Sequence, residues 1–422
     1  MPSLPSLVLD WLAQLSPVFQ AFSWQNFLFL MAGLLYGRAA GSVVRAAEYA
    51  PSDYNWRRLH AFLRQARWDG AALVEALIHQ TLQTLFPQGW PQRLWWVVDV
   101  TEREKASAKK IPGISKVHRG ARQRGQSRCL WGHRYLVLGL LYPAQRRWQA
   151  LITHVALVWG RRSFEQQLAR FLGCLRAVAQ GLQTLVADRA FGSTRFLRLV
   201  RHLGYEGVVR LKRNFVVHAH PSPARRTGQR GRPALYGPAY RVEHLPLRRM
   251  QKTRQRRWIR DRLYWVTIWR GTFLRQGVGP LEILALRWGR QGRMWLAATD
   301  PTLTTDEILE GYNGRWAVEP AIHECKDLGL GQYRGRRMAG VRRHPLLIAV
   351  THTVLSLIAL GALPVELPEL GWGWYARETT VGQVQRRLIK WFQAFGAFQP
   401  TSKRDHRRRN SSGPRQIKRA AA

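Results

Sequence analysis

The chain has 422 residues and is 46% hydrophobic, enough to bury a large core and too much for wholesale disorder. Its 67 lysines and arginines stand against 25 acids, a formal net charge of +42 that calls for a polyanionic partner, nucleic acid first and an anionic membrane surface as the alternative. The three cysteines, Cys129, Cys174 and Cys325, form no CxxC pair, which argues against a zinc finger or disulfide framework and fits a reducing cytoplasm.

In chain order, residues 1–90 show apolar residues at helical spacing in VLDWLAQL, NWRRLHAFLRQARW and AALVEALIHQTLQTLF. They predict a helical domain for DNA contact or dimerisation, weighed against a plain packing appendage. The start MPSLPSLVLDWLAQLSP lacks the basic opening and cleavage site of a signal peptide. FLFLMAGLLYG (27–37) is too short to span a membrane. The pattern then changes to strands at 94–100, 134–142, 148–157, 182–190 and 206–212, with helices at 163–180 and 192–204. A basic loop is expected at 101–128. The order βββαβαβ is that of an α/β, ribonuclease-H-like core, assigned to 91–212 and 299–365. A β-rich, basic insertion at 213–298 interrupts it, with strands at 263–270, 281–288 and 294–300. One helix is expected over 304–330, capped by Thr304 or Thr305. PLLIAVTHTVLSLIALGALP (345–364) reads as a buried core helix, because His352 and hydroxyl residues interrupt it; no membrane association is expected. A helical region at 366–401 and a basic, disordered tail at 402–422 complete the chain.

The stretch YNGRWAVEPAIHECK (312–326) carries a polar series. Tyr312, Arg315, Glu319, His323 and Lys326 are spaced to share one helix face. A carboxylate flanked by cations suits a metal beside a nucleic-acid phosphate; i,i+4 pairing on a solvated face is the plain alternative. Asp99 lies near the end of the first core strand and Asp188 just after the fourth, and adjacent strands bring such ends to one edge of a sheet. Each alone reads as a turn residue. Together with Glu319 they form an all-oxygen set suited to Mg²⁺ or Mn²⁺. His323 is expected to make a helix-face hydrogen bond.

VVDVTE, LVADRAF and YNGRWAVEPAIHECK resemble the three motifs of the DDE transposases of bacterial insertion sequences. The third matches the Tyr-Arg-Glu-Lys signature of one branch, with gaps of two, three and six residues. The resemblance spans about 94–330 and includes the β insertion. It implies two Mg²⁺ ions held by Asp99, Asp188 and Glu319, no small-molecule cofactor, cleavage at element ends, and 3′-hydroxyl strand transfer into target DNA. It implies double-stranded DNA partners (terminal inverted repeats and target), a homodimer on paired ends, and a cytoplasmic, nucleoid-associated location. Tyr312, Arg315 and Lys326 would hold phosphates. In this branch an aromatic ring of the insertion stacks a flipped base; Trp265, Trp269, Trp288 and Trp295 are candidates here, set against ordinary core aromatics.

Lys252, Arg254, Arg256 and Arg257 are expected on backbone phosphates. RGRP (230–233) reads as a minor-groove probe or, more simply, a turn. Pro320, directly after Glu319, is expected to kink the helix. Two alternatives stay open: a ribonuclease-H-like nuclease or resolvase without strand transfer, and a catalytically silent, domesticated DNA-binding protein.

Overall fold

The computed structural model describes residues 4–37, 43–47, 54–105, 110–118, 129–144, 147–160, 163–176, 181–221, 234–259, 262–289, 292–369 and 379–395. The expected RGRP turn and the basic tail lie outside them.

Among the described residues five α-helices come first: α1 (Ser6–Ala13), α2 (Ala21–Tyr36), α3 (Val43–Ala46), α4 (Trp56–Gln65) and α5 (Gly70–Leu85). Asn55 and Asp69 cap α4 and α5 by accepting the backbone N–H of Arg57 and Ala71. Every residue of α2 from Asn26 to Tyr36 is buried, as befits a helix apolar on all sides.

The core strands are β1 (Arg93–Glu104), β2 (Ser115–His118), β3 (Cys129–Ala144) and β4 (Arg147–Val158). After α6 (Phe164–Gly173) come β5 (Leu182–Ala187), α7 (Thr194–His202) and β6 (Glu206–Arg210). β1 pairs antiparallel with β3, and β3 with β4; β1, β5 and β6 run parallel. Three antiparallel strands followed by two parallel ones, with the first strand central, is the ribonuclease-H-like arrangement. β2 was missed in the sequence because only four residues of the basic 101–128 stretch pair, at the end of β3.

The insertion contributes β7 (Val216–His218), β8 (Ala239–Arg241), β9 (Gln251–Ile259), β10 (Arg262–Arg275), β11 (Gly279–Trp288) and β12 (Met294–Ala298). β12 pairs with β6, so these strands continue the core sheet. The basic run 251–259, whose cations are expected on backbone phosphates, is a strand, and Lys252, Arg254, Arg256 and Trp258 share one of its sides.

The expected single helix over 304–330 is three pieces: α8 (Thr305–Gly314), a 3₁₀ turn (Arg315–Ala317) and α9 (Val318–Asp327). Thr304 caps α8, and its hydroxyl and the Glu307 side chain form a capping box. The break falls in the turn before Pro320, where its ring and missing N–H disfavour a continuous α-helix, so the expected kink takes the form of the 3₁₀ turn and Pro320 itself stands in the first turn of α9. α10 (Met338–Ala359) is buried along most of its length and packs on β4, α2, α4 and α5; α11 (Val381–Phe395) packs on α10 and α2. Among the described residues no helix is long and apolar enough to cross a membrane.

Candidate active site

The parallel pairing of β1 with β5 ends at Val98 opposite Ala187. Asp99 and Asp188 are the next residue on each strand, so the register itself sets them side by side. Asp99 accepts the Val100 backbone N–H, and Asp188 accepts that of Ala190, both at 2.7 Å. Burial, foremost, pushes the Asp99 carboxyl up from 3.8 to about 6; the charges of Asp188 and Glu319 push the same way, while the Val100 N–H and Arg315 oppose them.

Two glycines bring α8 onto this sheet. A Cβ on Gly311 would lie 2.3 Å from the Trp95 ring, and one on Gly314 would lie 2.9 Å from the ring of Trp148. The close approach buries Tyr312, whose hydroxyl is held above its ordinary pKa by burial, with Asp188 adding to the effect and Arg315 and Arg210 opposing it. Sequence reading passed over both glycines; their three-residue spacing on a helix facing large rings was the available signal.

Arg315 follows. Its guanidinium lies 4.5 Å from the Trp316 ring centroid and 5.8 Å from that of Tyr312. It pairs with Glu319 at 3.4 Å; the arginine side chain is 8% exposed and the glutamate 53%. The arginine Nε is buried without a hydrogen-bond partner among the described residues. Lys326 is half-buried on the same side, and its pKa is lowered by burial and Arg103 against the pull of Glu102 and Asp99. His323 is the exception in the series: it is exposed and pairs with Asp327 at 3.2 Å.

α9 is tied down from behind. Thr153 is a bulged residue on β4, between Gly139–Ile152 and Leu138–His154 pairs. Next to it, the Ile152 N–H donates to His352 Nδ1 at 3.3 Å, and Thr353 donates its hydroxyl proton to the Ile152 carbonyl at 2.9 Å. That fixes the tautomer: Nε2–H of His352 donates to Glu324 of α9 at 3.1 Å. The histidine read as a mere interruption in an apolar run thus anchors the helix that carries Glu319.

A cavity of about 900 Å³ opens beside Tyr312, between α8 and the insertion. Arg210, Arg213, Arg256, Arg257 and Arg293 reach it, with Trp258, Tyr264, Trp288 and Trp316. Trp288 is therefore on the cavity wall. Trp295 is 6% exposed and is corrected to a core ring with no face free for a base. Trp265 and Trp269, with Lys252 and Arg254, are not on the cavity wall, whereas Arg256, from the same side of β9, reaches it; Arg257 pairs with Asp306 of α8.

Asp99, Asp188 and Glu319 thus share one electrostatic neighbourhood, but the structure does not draw them into a closed cage. Among the described residues no group of three His, Cys, Asp or Glu is gathered tightly enough to hold a metal ion. As donors they fit a hard cation: all are carboxylates, and they repel one another where a divalent ion would offset the repulsion.

A pair of aspartates side by side where the parallel pairing of two central strands of a ribonuclease-H-like sheet ends, with Arg315 acting on Asp99, is the arrangement of a phosphodiester-cutting class of protein. The profile of the DDE superfamily endonuclease family matches residues 14–271, more than half of the 422, and the chain belongs to that family. The matched stretch holds Asp99 and Asp188 and ends before Glu319. No curated protein matches. Among solved structures, the cryo-EM structure of a piggyBac transposase synaptic complex with hairpin DNA is similar at a TM-score of 0.39 and 12% identity, over 99% of this chain and 84% of that chain. That likeness is too distant to bear on the site.

Proposed function

We propose that the chain is a transposase of the Tyr-Arg-Glu-Lys branch, cutting DNA at element ends and joining the freed 3′-hydroxyl to target DNA. The observation that carries this reading is the strand register that sets Asp99 beside Asp188, with Glu319 near enough to influence the Asp99 carboxyl. Asp99, Asp188 and Glu319 are the residues that would hold Mg²⁺, or Mn²⁺ in its place. When bound, such ions supply Lewis-acid stabilisation of the attacking and leaving oxygens.

The chain's own residues do the rest. Arg315 and Lys326 flank the carboxylates and fix phosphates on either side of the scissile bond. Tyr312 lines the cavity and orients Arg315. Trp288 offers a ring for an extrahelical base within the arginine-lined cavity. Lys252, Arg254, Arg256 and Arg257 bind flanking backbone. Two copies on paired ends would complete the assembly, with terminal inverted repeats and target DNA as the partners.

The test is a plasmid carrying the element's own ends, incubated with the purified chain and Mg²⁺. Cut and rejoined DNA is expected, and Asp99→Asn, Asp188→Asn and Glu319→Gln should each abolish both. Cutting without joining would leave only a nuclease. No cutting would leave a DNA-binding protein.

A further inference from the structure

The strand that carries Asp99 does not stop there. β1 runs on to Glu104, and the side chains of a strand alternate between its two sides. Trp95, which meets Gly311 of α8, is therefore on the same side as Asp99, Thr101 and Arg103. Lys105 follows in step, since its N–H still donates to the Trp131 carbonyl of β3 at 2.7 Å. Arg103 lies about 13 Å beyond Asp99, four residues of strand rise. Gly331, just after α9, closes over it: a Cβ there would lie 2.6 Å from Cγ of Arg103.

Cations gather around this end of the strand. The Lys105 ammonium donates to the Tyr333 carbonyl at 2.6 Å, which brings the next residue, the exposed Arg334, to its side. Burial, then Arg334 and Arg103, lower the Lys105 pKa to about 8, and Arg103 acts in the same sense on Lys326. His133, opposite Arg103 in the register of β1 with β3, adds no charge: burial and then Lys105 lower its pKa to about 4.

The acids nearby are engaged elsewhere. Glu102 and Glu104 alternate to the other side of β1, where Glu102 accepts from Arg134 and from the His118 N–H, each at 2.7 Å. Asp327 pairs with His323. Among the described residues no carboxylate pairs with Arg103, Lys105, Lys326 or Arg334. Cations held together against their own repulsion, with no acid between them, are relieved by a polyanion. None of the four lines the cavity beside Tyr312.

DNA whose scissile phosphate lies at Asp99 continues past it. We propose that duplex DNA leaves the site over this end of β1, with Arg103 and Arg334 on its backbone phosphates beyond Lys326. Lys105, tied to Tyr333, holds the two arginines in line and adds its charge. This track rests on the DNA-cutting reading above and gives it a direction: the duplex passes along the strand of Asp99, away from the insertion. Contact is with the backbone, so the track is blind to sequence.

The experiment needs no cleavage. The full chain, in EDTA, is titrated by anisotropy against three fluorescein-labelled probes over a range of salt: a duplex carrying an element end, a duplex of shuffled sequence, and a single strand. Arg103→Gln and Arg334→Gln are each expected to flatten the logarithmic salt dependence of duplex binding by about 1, and the double variant by about 2, equally on both duplexes. Arg103→Lys and Arg334→Lys, which keep the charge, should hold the wild-type slope. Circular dichroism checks the fold of each variant; should the double variant misfold, Arg334→Gln, at an exposed position, decides alone. An unchanged slope in a folded variant, or flattening confined to the single strand or to the element-end duplex, would overturn the track. Metal-dependent nicking by the wild-type chain is scored separately. Nicking with an unchanged slope in the variants removes the track alone, and a flattened slope without nicking removes the enzymatic reading alone.

Discussion

The guanidinium of Arg315 lies 3.4 Å from Oε1 of Glu319, four residues on, and the two differ sharply in surroundings: the cation is buried and the carboxylate exposed. An ion pair with one partner in water contributes about 0–1 kcal/mol. The pair is therefore a weak tether, and Arg315 is held mainly by its packing against Trp316 and Tyr312.

Glu319→Gln should then leave stability almost untouched, with a melting temperature within about 3 °C of wild type, as expected of so small a term in a chain this size. Metal-dependent cleavage should fall by at least about a hundredfold, because an ion ligand is lost. A variant that melts as wild type and cuts as wild type would remove Glu319 from the site.

Asp99 gives a stability signature. Its native pKa of about 6 exceeds the ordinary 3.8, so the native state takes up a proton at a pH where the unfolded chain does not. The contribution of this carboxyl is therefore most favourable below 3.8 and is lost as pH rises through about 6. At neutral pH the loss is on the order of 1–3 kcal/mol, at 1.36 kcal/mol per unit. Asp99→Asn should match wild type near pH 4 and be the more stable protein at pH 7.5, in urea unfolding without divalent ions. A gap that closes with rising pH would contradict the burial argument.

The strand order and the two aspartates were legible because buried strands carry local signals: VVD and LVAD are short apolar runs that meet an acid, although β1 runs on past Asp99 to Glu104, and parallel register follows from their place in the fold. The join between α8 and α9 was legible only through Pro320, which told of a kink but not of its place. The polar spacing of 312–326 suits an unbroken helix, and only packing of Gly311 and Gly314 against Trp95 and Trp148 shows where the chain tightens into a 3₁₀ turn. β9 was hidden for a related reason. Its cations face solvent on an edge strand, so period-two burial left little apolar trace.

Gly311→Ala sets two effects against each other. Alanine is the better helix former by about 1 kcal/mol. Its methyl would overlap Trp95, at 2.3 Å, and overpacking costs about 1–3 kcal/mol. The clash should win, lowering stability and displacing Tyr312. Pairing the change with Trp95→Leu should recover most of the loss, as a double-mutant cycle in urea would show.

His352→Leu tests the anchor behind α9. Leucine fills a similar space but leaves the Ile152 N–H without its acceptor and Glu324 without its donor. A buried N–H left unpaired costs about 1–3 kcal/mol, so the variant should unfold at lower urea concentration. A purely structural role would stop there. If His352 also positions α9, the variant should need more Mg²⁺ for half-maximal cleavage at a temperature where it is fully folded, because Glu319 rides on the same helix. His352→Gln, whose amide supplies a donor and an acceptor, should move that Mg²⁺ requirement back towards wild type. An unchanged requirement in folded His352→Leu would confine the histidine to stability.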